Sequence, residues 1–590
     1  MSQLKRRGSH LKNNRKITLR FILILILVII AIVLIAVLIF GNKEKTPINP
    51  NATHKPGLTP ELTPGSSLIP TDPPLPEFTA YPVESTMPSV FGFKSELNVD
   101  GKNVDSYTSE KPIIFSDSDS YTKLEGIISF RGNNFRNSSS YGVVSLEEKT
   151  LEKLWNIPTN SLQKGESNNY KGAWTGSGWT GQPIIVKWPK ETKAVMNMYD
   201  TAKADDNLVE VIYATMDGNV YFLDLNTGKN TRDTIHLGVP FKGAGSLDPR
   251  GYPLLYLGSG DHYNQDGKRS RAMVLSLITG KIIYDFGTKP DPYALRAWTA
   301  WDSSALVNAE TDTLIYPGEN GVLYVLKLNT KYDPAAGTIS VDPSSIVKFR
   351  YSATRTRNDG YWIGYEGSAS AYKNYLFLTE NSGLIHCVDL NTMKVVWVQD
   401  IWDDTNCSPL FELGEDGKGY LYIGSTLDNR ADSSGKGTVA FFKLSANTGE
   451  VIWKQEREVY TTKGVTGGVM SCAILGKGNL DGMVFTAFAS YGNGNNGELA
   501  AFNKDNGDLI WSTKLSAYTW CSPSAIYDKD NNGYIVITNY SGNVYLINGK
   551  TGDIIYTYNI ESNIEASPAV YNNTIVIGTR VQGIFGISIK

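Results

Sequence analysis

The chain has 590 residues, 41% of them apolar and 19% charged, with a net charge of −3 at pH 7. That balance excludes a predominantly disordered chain and offers no basic field for a nucleic-acid backbone. Four cysteines, Cys387, Cys407, Cys472 and Cys521, lie far apart with no CxxC pair, which speaks against a thiolate zinc site and a thioredoxin-type motif.

Residues 1–20 form a basic tail with seven cationic side chains and no acid, and residues 21–40 read FILILILVIIAIVLIAVLIF. Twenty apolar residues at about 1.5 Å each span about 30 Å, the hydrocarbon core of a bilayer, whereas a signal-peptide core runs only about 7–15 residues. An uncleaved transmembrane helix is expected, with the N-terminus cytoplasmic and all that follows extracellular at the cell membrane. Without the tail the exported part carries −10, so nucleic acid is not expected as a partner.

Residues 42–90 hold 11 of the 26 prolines and few large apolar side chains, the composition of an extended stalk. Residues 91–148 follow as an N-terminal extension, in which FKSELNVDGKNVDSY reads as a hairpin turning at Asp100-Gly101. The extension ends in SFRGNNFRNSSSYG (129–142), which has no helical or strand period. A phosphate loop would feed a helix N-terminus, and no helical pattern follows.

From residue 149 the chain repeats itself. GNVYFLDLNTGK (218–229), GLIHCVDLNTMKVVW (383–397), GTVAFFKLSANTGEVIW (437–453), GELAAFNKDNGDLIW (497–511) and GNVYLINGKTGDIIY (542–556) share one pattern, with further copies from 272 and 321. Each is a glycine, an alternating strand, an Asn/Thr/Gly turn and a second strand that usually ends in an aromatic. Two more strands precede several hairpins, as in CSPLFELGEDGKGYLYIG (407–424) and ASPAVYNNTIVIG (566–578). Four antiparallel strands recurring every 45 to 62 residues predict an all-β chain built as a β-propeller rather than a sandwich. The C-terminus stops one strand short of a blade. TLEKLWNIPT (150–159) supplies the missing strand, its Trp155 matching Trp397, Trp453 and Trp511. Pairing it with the last strand closes an eight-bladed β-propeller of four-stranded antiparallel blades over residues 149–590.

This repeat resembles that of pyrroloquinoline-quinone-type (PQQ-like) propellers, which include quinoprotein alcohol dehydrogenases and the outer-membrane assembly lipoprotein. In such propellers a segment like F-R-G-x-x-x-R-x-x-G precedes the closing strand. The resemblance makes Phe130, Arg131, Gly132 and Arg136, together with Trp155, a structural latch. Its aromatic rings would cover an end of the barrel while the arginines bond loop carbonyls or acids. Dehydrogenases of the family carry adjacent cysteines, calcium ligands and a catalytic aspartate. No two cysteines are adjacent here, so pyrroloquinoline quinone is not expected.

Two further patterns suggest sites. In DKDNNGYI, Asp528, Asp530 and Asn532 alternate before a glycine, as at the start of a calcium loop, and a structural calcium is compatible with them although the twelfth position is Asn539 rather than glutamate. Aligning inner strands on their Ser-Pro position brings Thr180, Ala244, Trp301, Glu366, Asn406, Val469, Trp520 and Glu565 to one channel mouth. Among them Trp301, Glu366, Trp520 and Glu565 are candidates for binding a sugar, a peptide or a cation. His236, His262 and His386 fall in unrelated segments, which argues against a multi-histidine metal centre.

The expectation is a monomeric, membrane-anchored, extracellular propeller that binds an envelope protein or glycan as a scaffold, with no catalysis and no cofactor. The alternative is a cell-surface quinone-dependent oxidoreductase, or a polysaccharide-acting enzyme, working at the channel mouth.

Overall fold

The computed structural model describes residues 77–164, 172–179, 181–260, 270–288, 291–296, 298–462, 464–491 and 495–590. The basic tail, the apolar run 21–40, the stalk to residue 76, Thr180 and His262 lie outside the described residues.

Most turns foreseen in the repeats close hairpins, and units of four antiparallel strands follow one another along 184–236, 246–286, 306–352, 370–400, 410–460, 474–515 and 524–559. Glu125–Ile127 adds to the first unit, Lys94–Val99 and Lys102–Val104 to the third, and the fifth and sixth are joined in one sheet where Val459 meets Tyr491. The last sheet takes Ala569–Tyr571, Thr574–Gly578 and Ile584–Ile589 from the C-terminus and Leu151–Ile157 as its fourth strand. In that pairing Gly586 faces Trp155 and Ile589 faces Leu151. The fold is an all-β propeller.

A bulge recurs where the outer strand of most units meets the third. Trp397 pairs with Cys387 and Val395 with Val388, leaving Val396 over; Ile452, Ile510, Ile555 and Leu154 are left over in the same way. A bulge adds twist and re-aims the next side chain. Here it turns the following tryptophan onto the glycine of the neighbouring unit's turn. Trp155, Trp397, Trp453 and Trp511 lie against Gly228, Gly449, Gly507 and Gly552, where a Cβ would come within 2.6–2.8 Å of the ring. Each indole N–H donates to a backbone carbonyl beside that turn, Leu225, Ala446, Lys504 and Gly549, at 2.8–3.1 Å. The same glycines hold φ between +68° and +80°, which tight turns require and side chains disfavour. Turn, junction and packing therefore demand one residue.

The inner ends are linked in sequence. The Ser304 N–H donates to Ser368 Oγ, Ser368 N–H to Ser408 Oγ, Cys472 N–H to Ser522 Oγ and Ser522 N–H to Ser567 Oγ, all at 2.8–2.9 Å.

The segment preceding Trp155 sits at the hub of these inner ends. Backbone bonds tie Ile128 to Leu247, Asn134 to Ala371, Phe135 to Phe411 and Ser139 to Val570. Phe130, Phe135, Arg131 and Arg136 are buried. Arg136 donates to the carbonyls of Phe130, Ala369 and Ser304 at 2.8–2.9 Å, and Arg131 to those of Ala473 and Pro523. No carboxylate pairs with either guanidinium among the described residues, so backbone dipoles from four sheets replace water around two charges. Gly132 turns the chain at φ +81°, and a Cβ there would lie 2.3 Å from the Ser138 carbonyl.

The N-terminal extension covers part of the rim. Lys94–Val99 and Lys102–Val104 form the hairpin about Asp100 and Gly101, and the first strand pairs antiparallel with the outer strand Ser344–Ser352. The insertion after Thr330 makes a separate hairpin of Lys331–Asp333 and Thr338–Ser340. The stretch 77–90 departs from an extended stalk. Phe78 is buried against Tyr372, Tyr375 and Phe411, and Thr86 Oγ1 donates to the Thr448 carbonyl. Tertiary docking overrides local polyproline preference there.

Candidate functional site

The chain of serine bonds selects which residues reach the channel mouth. Each linking serine stands two residues after a mouth position: Ser368 after Glu366, Ser408 after Asn406, Ser522 after Trp520 and Ser567 after Glu565. In the stretch WDSS the linking residue is Ser304, not Ser303, so Asp302 takes the mouth position. Trp301 does not reach the mouth. It is fully buried between sheets against Phe286, Tyr316 and Tyr324, because a slip of one residue sends a strand side chain to the opposite face. The same slip separates Val469 from Met470, which packs with Trp179 and Trp520.

The mouth is an acid-rich cluster around one lysine. Lys242 Nζ stands 3.4 Å from Asp302, and Trp298 donates its indole N–H to Glu319. Glu366 accepts from the amides of Asn381 and Asn406, and Asn381 also donates to Asp404 at 3.0 Å. Opposite, Glu565 pairs with Arg580 at 3.4 Å and accepts from the Tyr518 hydroxyl. Trp520 donates to the Thr466 carbonyl at 3.0 Å. Arg296 lies 4.6 Å over Trp362 at the edge.

Burial, then the nearby carboxylates Asp302 and Glu366, raise Glu319 well above the usual carboxylate range. Burial and Glu366 do the same for Asp404. Burial also raises Asp302, Glu366 and Glu565. Lys242 moves upward despite its own burial, because Asp302, Glu319 and Glu366 surround it. Burial thus shifts these carboxyl groups towards their protonated forms.

These residues do not fit the quinone group of the dehydrogenases. Cys387, Cys407, Cys472 and Cys521 are each free and buried at separate places, and no three metal-binding side chains converge among the described residues. In the DKDNNG turn, Asp528 accepts from the Asp530 and Asn532 N–H groups and from the Asn532 amide. That is an Asx turn closing on itself. A groove of 620 Å³ lies elsewhere, between residues 93–106 and 392–395.

Sequence reasoning missed Lys242, Asp302, Glu319 and Asp404. The double serine of WDSS concealed Asp302, and the others come from loops outside the repeat. The buried pair Arg232–Glu210, at 2.7 Å, was also invisible beforehand.

Two segments, 364–519 and 495–590, match the repeat family described as outer membrane protein assembly factor BamB. Among solved structures, quinohemoprotein alcohol dehydrogenase from Comamonas testosteroni is similar over 79% of this chain and 80% of that one, at 14% identity and TM-score 0.50. BamB from Moraxella catarrhalis covers 64% of this chain and 93% of its own, at 17% identity and TM-score 0.42. No curated protein matches in sequence. At such identities only the fold is shared. The repeats over residues 364–590 thus match those of the BamB-type family, and the sheets share the propeller fold of the quinoprotein enzyme.

Proposed function

We propose that the chain is an eight-bladed propeller anchored at the cell membrane, and that it serves as a binding or scaffold module for an envelope protein. The open outer rim carries this reading. Leu154, Val451, Ile452, Leu509, Ile510 and Ile554 are exposed on the outer strands of successive units, where a soluble monomer gains nothing from apolar side chains. The centre, by contrast, is filled by the 129–142 segment, and the mouth carboxylates are engaged by Lys242, Arg580 and neighbouring amide, indole and hydroxyl groups. The apolar run 21–40 and its basic flank support the anchor and the extracellular orientation.

The full chain, immobilised in detergent, should retain envelope proteins and show no new visible absorbance with pyrroloquinoline quinone and calcium. Absorbance accompanied by dye reduction would support the oxidoreductase alternative and end the scaffold reading. Retention of glycans alone would move the partner to the polysaccharide class.

A further inference from the structure

The molecule already demonstrates strand addition on its own rim. Lys94–Val99 lies antiparallel on residues 347–352 of an outer strand, starting beyond the bulge, with Val99 opposite Val347 and Glu96 opposite Arg350. A charged pair lies in this register: Arg350 Nε donates to Glu96 at 2.9 Å.

The outer strand Val451–Tyr460 has the same construction. Its bulge falls at Ile452, so Trp453 stands opposite Lys443 as Val347 stands opposite Val325. Residues 453–458 then present six backbone positions with no strand on their outer side among the described residues, until Val459 meets Tyr491. Counting from the bulge, Glu456 takes the place of Arg350 and Glu458 that of Ser352. Both glutamates are exposed, and their ion pairs to Lys454 and Lys436 are likewise at the surface, where such pairs hold weakly.

We propose that residues 453–458 are a strand-addition site for an extended polypeptide segment carrying arginine or lysine at alternate positions. The backbone supplies the pairing, as in other edge-strand recognition, and the reversed charge at Glu456 selects a basic residue where the hairpin has Glu96. The site deepens, and rests on, the binding-module reading.

Two probes test it on the full chain: the peptide FKSELNVDGKNVD, copied from residues 93–105, and its Glu96→Arg form. The arginine form should slow hydrogen exchange at alternate amides within 453–458 and bind about fivefold more tightly than the parent, the scale of one exposed ion pair. Glu456→Arg in the protein should reverse that preference. Glu456 is a surface residue, so the variant is expected to fold. Lack of protection in 453–458, or a preference that Glu456→Arg leaves unchanged, overturns the site. So does protection that arises without peptide in a dimeric protein, which would make a second copy the occupant. If wild type and Glu456→Arg retain envelope proteins equally and neither discriminates the peptides, this site fails while the scaffold reading stands. If nothing is retained, that reading fails first.

Discussion

The inner and outer ends of the same sheets meet opposite conditions. At the centre, strands from distant parts of the chain converge, and their carbonyls are bonded by a segment that belongs to none of the repeats. At the rim, the sheets diverge, and among the described residues their outer edges are covered in part, as where Lys94–Val99 pairs with Ser344–Ser352. The hub's arginines therefore bond within the chain, with Arg131 Nε and Asn134 Oδ1 left without a partner among the described residues, while on the rim free backbone groups are available to other chains.

Breaking the hub should produce the largest effect. Arg136→Met keeps an unbranched stem but leaves the Ala369, Ser304 and Phe130 carbonyls without their donors. Each orphaned buried acceptor costs about 1–3 kcal/mol, so a loss of about 5 kcal/mol is expected, read as a large fall in thermal midpoint or as failure to fold. Burial pulls the Arg136 guanidinium down to about 10, still above neutral pH, so the native hub carries its charge. An unchanged midpoint would mean that the carbonyls need no cation, and the contrast between centre and rim would lose its basis.

How much of this was readable beforehand depends on where the information lies. The repeats were legible because turn glycines and outer-strand aromatics are local demands, and Trp155 advertised the strand that completes the last sheet. The arginines of the 129–142 segment were legible as unusual, but their carbonyl partners come from residues 304 to 523, which no local pattern encodes. Asp302 and Trp301 exchanged places because two adjacent serines could each be the linking one. The docking of Phe78 depends on Tyr372, Tyr375 and Phe411, and a proline-rich composition says nothing of such a receptor.

The covered part of the rim has a pH signature of intermediate size. Phe93, at the start of the hairpin, stacks on Tyr351 and meets His386, whose centroid lies 5.0 Å away. Burial pushes His386 down to about 3 from 6.5. Between those values the unfolded chain binds a proton that the folded chain does not, so this residue makes stability fall as pH falls from 6.5 towards 3. Glu380 acts oppositely. Burial raises it to about 7 from 4.5, so its contribution falls as pH rises through that window. His386→Phe should therefore gain about 1.4 kcal/mol relative to wild type for each pH unit below 6.5, measured by denaturant unfolding. A constant difference between the two proteins would show that the cover leaves His386 open to water.

The smallest effect tests the template itself. Glu96 is exposed for 63% of its side chain, so the Glu96–Arg350 pair contributes at most about 1 kcal/mol, and Glu96→Arg should leave the global midpoint almost unchanged. The consequence should be local. Arginine opposite Arg350 weakens one pairing of an edge strand whose remaining hold is backbone hydrogen bonding and the packing of Phe93 and Leu97. Amides of 94–99 should then exchange about fivefold faster while those of 347–352 bonded to the third strand stay as they are. Equal exchange in variant and wild type would assign the register of the hairpin to its apolar contacts alone. In that case the charge reversal at Glu456 could not choose a partner for the bare edge, and an uncharged segment would fit residues 453–458 as well as a basic one.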